Sequence, residues 1–373
     1  RTGILLCFEP DIPLLRAVLE RVDHSEWIRR TNLVLITHAD DSAPISEAIS
    51  GAEGLFTLGA AFLEHPACRA RLGNTLDAFA SRFTDVLRAA RTTILTTLVQ
   101  SEATLRNLLM NADWYVSSRG ISDLRDAARA RSAVVVSAGP SLQRNLHLLA
   151  QPGIRDRVVI IAVQTVLKTL LAKGIRPHFV TALDHHEISR RFYEGLSAAD
   201  VEGVTLVVEP RANPAILDAF PGAIRCVHDD WLEDILRDVA PPKGSLPAGA
   251  TVAHLAYSLA RHLGCDPVIM IGQDLGFTDN HYYAANAAIH TTWFSELNPF
   301  RSLEMLEWER IARSRRLLRR LNDLHDRPIY TDEQMATYLV QFERMFAADA
   351  QRGLTTIDAT EGGVRKNNTV PMP

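Results

Sequence analysis

The sequence predicts an α/β protein whose core is a mostly parallel, Rossmann-like sheet with helices on both faces. From Ser132 onward, short apolar segments alternate regularly with segments of helical periodicity. The short segments are apolar almost throughout, as is typical of strands that are buried on both faces of a parallel sheet. The predicted strands cover residues 133–137, 157–163, 178–183, 204–208, 223–227 and 267–272.

The remainder of the chain predicts three further parts. Apolar segments at 3–8 and 32–36 flank a helical pattern from Asp11 to Val22, which predicts a small N-terminal α/β unit over 1–75. Residues 76–131 are almost purely helical in pattern and predict a connector. The nucleotide-binding domain then covers 132–300, and a helical C-terminal part, 301–373, completes it. Within that last part we expect helices at 303–321 and 334–347 and short strands at 329–331 and 355–357.

Composition excludes several classes of protein. The chain has 373 residues, and its 40 Lys and Arg are offset by 44 Asp and Glu, so a general attraction to nucleic acid is not expected. No apolar run approaches the ~20 residues that span a bilayer, and no signal peptide is recognised, so we expect no membrane span and a cytoplasmic location. The four cysteines lack metal-ligand spacing and predict buried free thiols: Cys7, Cys68, Cys226 and Cys265.

The clearest local signal is the segment Ser137–Leu142, where an apolar strand ends in small residues and a helical pattern begins. A turn of this kind presents backbone N–H groups and the positive end of a helix dipole, which suit a phosphate. Gly139 permits a close approach of the anion, Pro140 suits a first helical position, and Ser141 adds a hydroxyl donor. A structural turn without a ligand would have a similar sequence.

Polar residues follow three of the predicted strands, at the edge where parallel sheets place their ligands. The amide of Gln164 suits recognition of a base or sugar, and the block that starts at Asp184 suits acid–base or metal chemistry. Capping of the next helix by Asp184, with the histidines partly exposed, is the alternative. The candidates are Gln164, then Asp184 with His185 and His186, and then Gly272, Gln273 and Asp274.

Two further segments are candidates for ligand contact. Residues 244–251 lead into another helix, and Ser245 and Thr251 there either contact a phosphate or cap the helix. The stretch 274–290 is rich in aromatic residues and histidine, and it either closes over a base or sugar or forms an ordinary surface loop.

Established nucleophile, zinc-protease, Walker and dinucleotide motifs are absent from the sequence. A nucleotide-phosphate site with group-transfer chemistry therefore fits better than redox chemistry with a nicotinamide cofactor.

Several of these segments, in their order, resemble the Maf family (motility accessory factors), whose central domain is called MptE-like. The match runs roughly over residues 90–365. It is carried by the segments 135–142, 160–163, 170–177, 269–275, 277–279 and 358–363, with Asp184 ending a strand between the third and fourth of them. The resemblance implies a fold similar to that of sialyltransferases that use CMP-sialic acid.

The resemblance also implies an activity. Bacterial Maf proteins are associated with flagellin glycosylation, in which a nonulosonic acid passes from a CMP-sugar to Ser or Thr. Archaeal relatives are 6-hydroxymethyl-7,8-dihydropterin pyrophosphokinases, which bind ATP and Mg²⁺. We therefore expect a nucleotide-sugar donor and an acceptor protein such as flagellin, with no metal or other cofactor required. An ATP-dependent diphosphokinase and a non-catalytic nucleotide-binding assembly factor remain the alternatives.

Positions that match the family's pattern imply roles for individual residues. Gly139, Pro140 and Ser141 fall on the nucleotide-binding turn, and Asp184 falls on an acidic strand end. The neighbouring nucleotide contacts are expected from Ser137, Gln164, Ser245, Gly272, Gln273 and Asp274, and the catalytic base from Asp184, His185 or His186. The chain departs from the family at the His-His-Glu block after Asp184 and at 293–320, which leaves donor and acceptor open.

Overall fold

A computed structural model describes residues 3–39, 45, 59–284, 290, 293–313 and 318–372, with the backbone only for 88–100 and 295. The chain divides into two compact units, Arg1–Glu102 and Ala103–Pro373. None of the helices within these described ranges is long and apolar enough to cross a bilayer.

The smaller unit is built on two parallel strands, β1 and β2, in agreement with the sequence prediction. Its described core contains Ile36, Ile45, Phe79 and Phe83, and the ring of Phe8 stacks on that of Phe79 with 4.1 Å between centroids. The strands are Leu5–Phe8 (β1) and Leu33–Ile36 (β2), and the helices are Ile12–Arg21 (α1), Ser25–Arg30 (α2), Pro66–Leu72 (α3) and the long Asn74–Met110 (α4), which continues into the larger unit.

The larger unit contains an eight-stranded sheet in which every neighbouring pair is parallel. Its central strands are buried along their whole length, which is why their sequences are continuously apolar. All six predicted strands are confirmed, with ends that differ by one or two residues. They are Ala133–Val136 (β3), Val159–Val163 (β4), Phe179–Ala182 (β5), Thr205–Val208 (β6), Ala223–Cys226 (β7) and Val268–Ile271 (β8).

Helices cover this sheet, and Val252–His262 (α11) is the most deeply buried of those that the structure describes, with eight of its eleven residues buried. It packs against β3, β4 and β5. The helices of the unit after α4 are Ala112–Ser117 (α5), Leu142–Leu149 (α6), Ile154–Arg157 (α7), Leu167–Ala172 (α8), Pro214–Ala219 (α9), Asp230–Leu236 (α10), Val252–His262 (α11), Leu303–Arg313 (α12) and Glu333–Gln351 (α13).

The C-terminal part differs from its prediction. The helix expected over 303–321 ends at Arg313, and Leu321 lies in a strand. That strand, Arg319–Asn322 (β9), pairs with Pro328–Thr331 (β10) in an antiparallel hairpin. The carboxylate of Asp323 accepts hydrogen bonds from the backbone N–H groups of His325 and Arg327, both 2.8 Å, and so stabilises the turn.

Two short strands from the same C-terminal part complete the main sheet. Thr356–Asp358 (β11) pairs with β8, and Val370–Pro371 (β12) pairs with β11. The strand order is β12-β11-β8-β3-β4-β5-β6-β7. The chain therefore leaves β3 toward β7 on one side and returns through β8 on the other, which makes the β3–β8 boundary the topological switch point.

The four cysteines are free thiols, as expected. Cys226 and Cys265 are buried, but Cys7 is exposed and Cys68 is half-buried. The expectation of buried thiols is therefore wrong for the two cysteines of the smaller unit, where less of the chain is available to cover them.

A buried polar cluster fastens α11 to α13 and to β11. The Nε of Arg261 lies 2.7 Å from Oδ2 of Asp349, and the hydroxyl of Tyr257 donates to the same oxygen at 2.6 Å. The Tyr257 hydroxyl is also 2.6 Å from Oγ1 of Thr356. Because these charged groups are buried, removal of one member leaves its partners with fewer compensating contacts in a low-dielectric environment.

We expect Asp349→Ala to lower the free energy of unfolding of the larger unit by about 3 kcal/mol, because it removes the shorter ion pair of the buried Arg261 guanidinium, 2.7 Å, and leaves it only the 3.2 Å ion pair with Asp266. The matched control is Glu194→Ala, which removes a half-exposed ion pair with Arg190 and should cost less than about 1 kcal/mol. Denaturant unfolding of both variants measures the difference. Equal losses would show that the buried cluster does not hold the helices together.

Candidate functional site

A cavity of about 330 Å³ lies at the switch point, at the carboxyl ends of β3 and β8. The turn after β3, the turn after β8 and the N-terminus of α11 form three of its walls. Residues from the 282–283 segment and from α13 form the fourth. The lining includes Ser137, Gly139, Pro140, Thr165, Thr251, Val252, Ala253, Gly272, Gln273, Asp274, Tyr282, Tyr283, Gln334, Met335 and Tyr338.

The turns after β3 and β8 cross in direct backbone contact. The N–H of Gly139 donates to the carbonyl oxygen of Gly272 at 2.7 Å. A Cβ on Gly139 would lie 2.5 Å from that oxygen and 2.0 Å from Oδ1 of Asp274, and a Cβ on Gly272 would lie 2.4 Å from the carbonyl oxygen of Ser137. Gly272 also has a φ of +65°. Both glycines are therefore required by the crossing itself.

Asp274 occupies the N-terminus of α6. Its carboxylate accepts from the backbone N–H of Ser141 at 3.1 Å and from the Ser141 hydroxyl at 2.7 Å, and it accepts a further hydrogen bond from the Thr278 hydroxyl. Burial raises the pKa of Asp274, against the opposing effect of the hydrogen bonds from Thr278 and Ser141. A protein carboxylate thus fills the place at the Gly-Pro-Ser turn where the sequence suggests a phosphate.

Ser141 is 1% exposed and does not line the cavity. Its hydroxyl and its N–H both bind Asp274, so the structure gives no support to a direct contact between Ser141 and a ligand. Gly139 and Pro140 from the same turn do line the cavity.

Two buried polar atoms at the cavity wall lack partners. Among the residues that the structure describes, neither Oγ of Ser137 nor Oε1 of Gln273 has a hydrogen-bond partner. These side chains are 5% and 7% exposed, and both line the cavity. Buried polar groups are normally hydrogen-bonded, and each unpaired one needs an explanation. A ligand in the cavity would satisfy both.

Gln164 and Asp184 form a polar network at the ends of β4 and β5. The Nε2 of Gln164 donates to Oδ2 of Asp184, which also accepts from the Ser189 hydroxyl at 2.9 Å. The hydroxyl of Tyr193 donates to Oε1 of Gln164 at 3.1 Å, and burial raises the pKa of Tyr193 well above its usual value. Tyr193 therefore stays protonated as the donor that fixes the Gln164 amide.

This network lies beside the cavity. Gln164 is flanked by Val163 and Thr165, which both line it. Burial raises the pKa of Tyr283 and Tyr338, and the negative charge of Asp184 contributes to both shifts. Asp184 therefore acts electrostatically on side chains of the cavity wall, although it is not itself part of the lining.

The two histidines after Asp184 lie outside the cavity lining. Their rings are 3.9 Å apart, and the carbonyl oxygen of His185 accepts from the side-chain amides of Asn107 and Asn213, both at 3.2 Å. Burial lowers the pKa of His185, and His186 lowers it further. His186 is exposed. Two asparagine side chains thus hold the backbone of His185, and the ring of His186 is open to solvent.

The sequence predictions did not include the part of the cavity wall that α13 forms. Gln334, Met335 and Tyr338 reach the cavity because α13 packs on α11, and no local sequence signal indicates that arrangement. Ser245 is exposed and lies outside the lining, whereas Thr251, from the same predicted segment, lines it. Across the described ranges, no group of three or more His, Cys, Asp or Glu side chains is placed to hold a metal ion.

Comparison with known proteins agrees with the resemblance seen in the sequence. Residues 106–280 match the family model described as 6-hydroxymethylpterin diphosphokinase MptE-like. Among solved structures it is similar to a Maf glycosyltransferase from Magnetospirillum magneticum AMB-1, with a TM-score of 0.60 and 17% identity. That match covers 99% of this chain and 53% of the other, so this chain spans about half the length of that protein. No curated protein matches the chain with significance.

The crossing of the two turns can be tested by a pair of glycine substitutions. Gly272 and Gly353 both have positive φ, +65° and +77°, but a Cβ meets the Ser137 carbonyl oxygen at the first and open space at the second. We expect Gly353→Ala to lower the free energy of unfolding by about 1 kcal/mol, from backbone strain alone. Gly272→Ala should cost at least about 2 kcal/mol more, because it also forces the turns apart. Equal costs in denaturant unfolding would contradict the crossing.

Proposed function

We propose that the chain is a glycosyltransferase of the Maf type, which transfers a nonulosonic sugar from a CMP-sugar to Ser or Thr of a protein such as flagellin. The observation that carries this proposal is the switch-point cavity with two buried, unpartnered polar atoms, Ser137 Oγ and Gln273 Oε1. The similarity of the fold to that of a Maf glycosyltransferase supports the same class of reaction.

The cavity suits a nucleotide. Its volume of about 330 Å³ falls within the range of small-molecule sites. Tyr282, Tyr283 and Tyr338 supply aromatic surface for a base or a ribose, while Gln273 supplies an amide that can read polar edges. Described residues contribute no Lys or Arg to the lining, so recognition of the donor's charge falls to backbone N–H groups and hydroxyls.

The transfer needs one proton acceptor and one leaving group. The acceptor hydroxyl oxygen attacks the anomeric carbon, the bond from that carbon to the phosphate oxygen breaks, and CMP leaves with the electron pair. A base takes the hydroxyl proton. Asp184 is the best placed of the three candidates, because it lies beside the cavity with its orientation fixed by Gln164 and Ser189. His185 is the second candidate, since its lowered pKa keeps it neutral and able to accept a proton near pH 7.

The name of the matching family model favours a second candidate, an ATP-dependent diphosphokinase that acts on a hydroxymethylpterin. In that case Asp184 and Asp274 would hold Mg²⁺ against the ATP phosphates. Asp274 is committed to Ser141 and Thr278, which weighs against this role. Transfer that survives a chelator would argue against the diphosphokinase. A chain that binds nucleotide but transfers nothing would be the non-catalytic assembly factor.

Gln273→Leu keeps the shape of the side chain and removes its amide. We expect about a tenfold loss of CMP affinity, because the base or ribose loses a hydrogen-bonding partner at a buried wall. Isothermal titration calorimetry with CMP measures it, and turnover of a CMP-nonulosonic acid should fall in parallel. Ser245→Ala changes an exposed side chain outside the lining and should behave as wild type.

Two results would contradict the proposal. Unchanged CMP affinity in Gln273→Leu would place the nucleotide elsewhere. Binding of ATP and a pterin, without binding of CMP or any CMP-sugar, would favour the diphosphokinase.

A further inference from the structure

Two helices, α6 and α11, begin at the walls of the cavity. Their N-termini differ in whether a carboxylate compensates the positive end of the helix dipole. The N-terminus of α6 is capped by the Asp274 carboxylate, which compensates its positive dipole end. Among the described residues, no carboxylate caps the N-terminus of α11. Its first residues, Val252 and Ala253, line the cavity together with the capping residue Thr251.

The N-terminus of α11 has unused hydrogen-bond donors. The first backbone hydrogen bonds of the helix run from the N–H groups of His254 and Leu255 to the carbonyl oxygen of Thr251, at 3.0 and 3.2 Å. Residues of the described chain supply no acceptor for the N–H groups of Val252 and Ala253. An eleven-residue helix also carries a substantial dipole at this end.

Ser137, in the turn after β3, independently indicates a ligand in the same cavity. Its side chain is 5% exposed, lines the cavity and has no hydrogen-bond partner among the described residues. A serine hydroxyl donates as well as accepts. An oxyanion in the cavity would therefore receive a hydroxyl donor from β3 and backbone donors from α11.

The ring of His254 is hydrogen-bonded to the Thr251 hydroxyl. Its Nδ1 lies 2.7 Å from Oγ1 of Thr251, and its ring stacks on Phe342 at 3.8 Å between centroids. Burial lowers the pKa of His254 to about 4, so the ring is neutral near pH 7. When Nδ1 carries the proton, it donates to Thr251 Oγ1, and the threonine hydroxyl proton is free to point into the cavity.

We propose that the N-terminus of α11, and not the Gly-Pro-Ser turn, is the phosphate subsite. The N–H groups of Val252 and Ala253 and the hydroxyls of Ser137 and Thr251 bind the phosphate oxygens. His254 is a positioning residue that donates to Thr251 from behind and leaves its hydroxyl to the ligand. The proposal rests on the proposed function only in assigning this phosphate to a nucleotide donor.

The first test compares CMP with cytidine, which lacks the phosphate, by isothermal titration calorimetry on the full chain. Thr251→Val should weaken CMP about tenfold and leave cytidine unchanged, whereas Thr251→Ser should bind CMP as wild type does. Thr337→Val, an exposed threonine on α13 outside the lining, is the matched control. Equal CMP affinity in wild type and Thr251→Val would overturn the assignment.

The second test addresses His254. His254→Phe keeps a ring against Phe342 but removes Nδ1, and it should weaken CMP without weakening cytidine. His254→Asn places an amide near the former Nδ1 and should recover part of the loss. A loss that is the same for CMP and cytidine would assign His254 a purely structural role. Should Thr251→Val or His254→Phe fail to unfold cooperatively, Ser137→Ala provides the same CMP-against-cytidine comparison.

Titration with inorganic phosphate distinguishes a wrong phosphate subsite from a wrong proposed function. Phosphate that binds wild type, and binds Thr251→Val at least several-fold more weakly, supports the subsite even when CMP does not bind. CMP that binds both proteins equally overturns the subsite and leaves the nucleotide proposal standing. Wild type that binds neither CMP nor phosphate overturns both.

Discussion

The crossing of two backbone turns at the β3–β8 boundary organises the site. Gly139 and Gly272 meet through one hydrogen bond of 2.7 Å, and a Cβ on either would collide with the other turn. Both turns line the cavity, which residues of α11 and α13 also border. The crossing also brings Asp274 onto the start of α6. The shape of the cavity and the state of one helix N-terminus thus follow from a single close approach.

The contact between the two turns determines which helix N-terminus at the cavity is available to a negatively charged ligand. One helix N-terminus at the cavity is neutralised by a carboxylate from the protein, and the other, at Thr251, keeps its donors free. In the proposed arrangement, a nucleotide whose phosphate lies against α11 has its base against one of the tyrosines that line the cavity. In the same proposal, the polar network of Gln164 and Asp184, which lies beside the cavity, supplies the base for the acceptor hydroxyl. Binding and chemistry occupy neighbouring parts of one sheet edge, as parallel α/β sheets generally arrange them.

The sequence was enough to predict the sheet, because strands buried on both faces must be continuously apolar and the alternation with helices implies parallel pairing. It also located the turns after β3 and β8, since small residues mark both. The partner of Ser141 could not be predicted, because Asp274 is 133 positions away and competes with a ligand for the same donors. The α13 wall and the hairpin after Arg313 depend on tertiary packing, which periodicity alone does not report.

The most direct test of the proposed nucleotide site is a crystal structure of the chain with CMP bound. The account predicts the phosphate within hydrogen-bond distance of the N–H groups of Val252 and Ala253 and of the Thr251 hydroxyl. It also predicts the base against Tyr282, Tyr283 or Tyr338, with the Ser141–Asp274 hydrogen bonds intact. A phosphate seated on Gly139–Ser141 with Asp274 displaced would contradict it, as would a nucleotide bound outside the cavity.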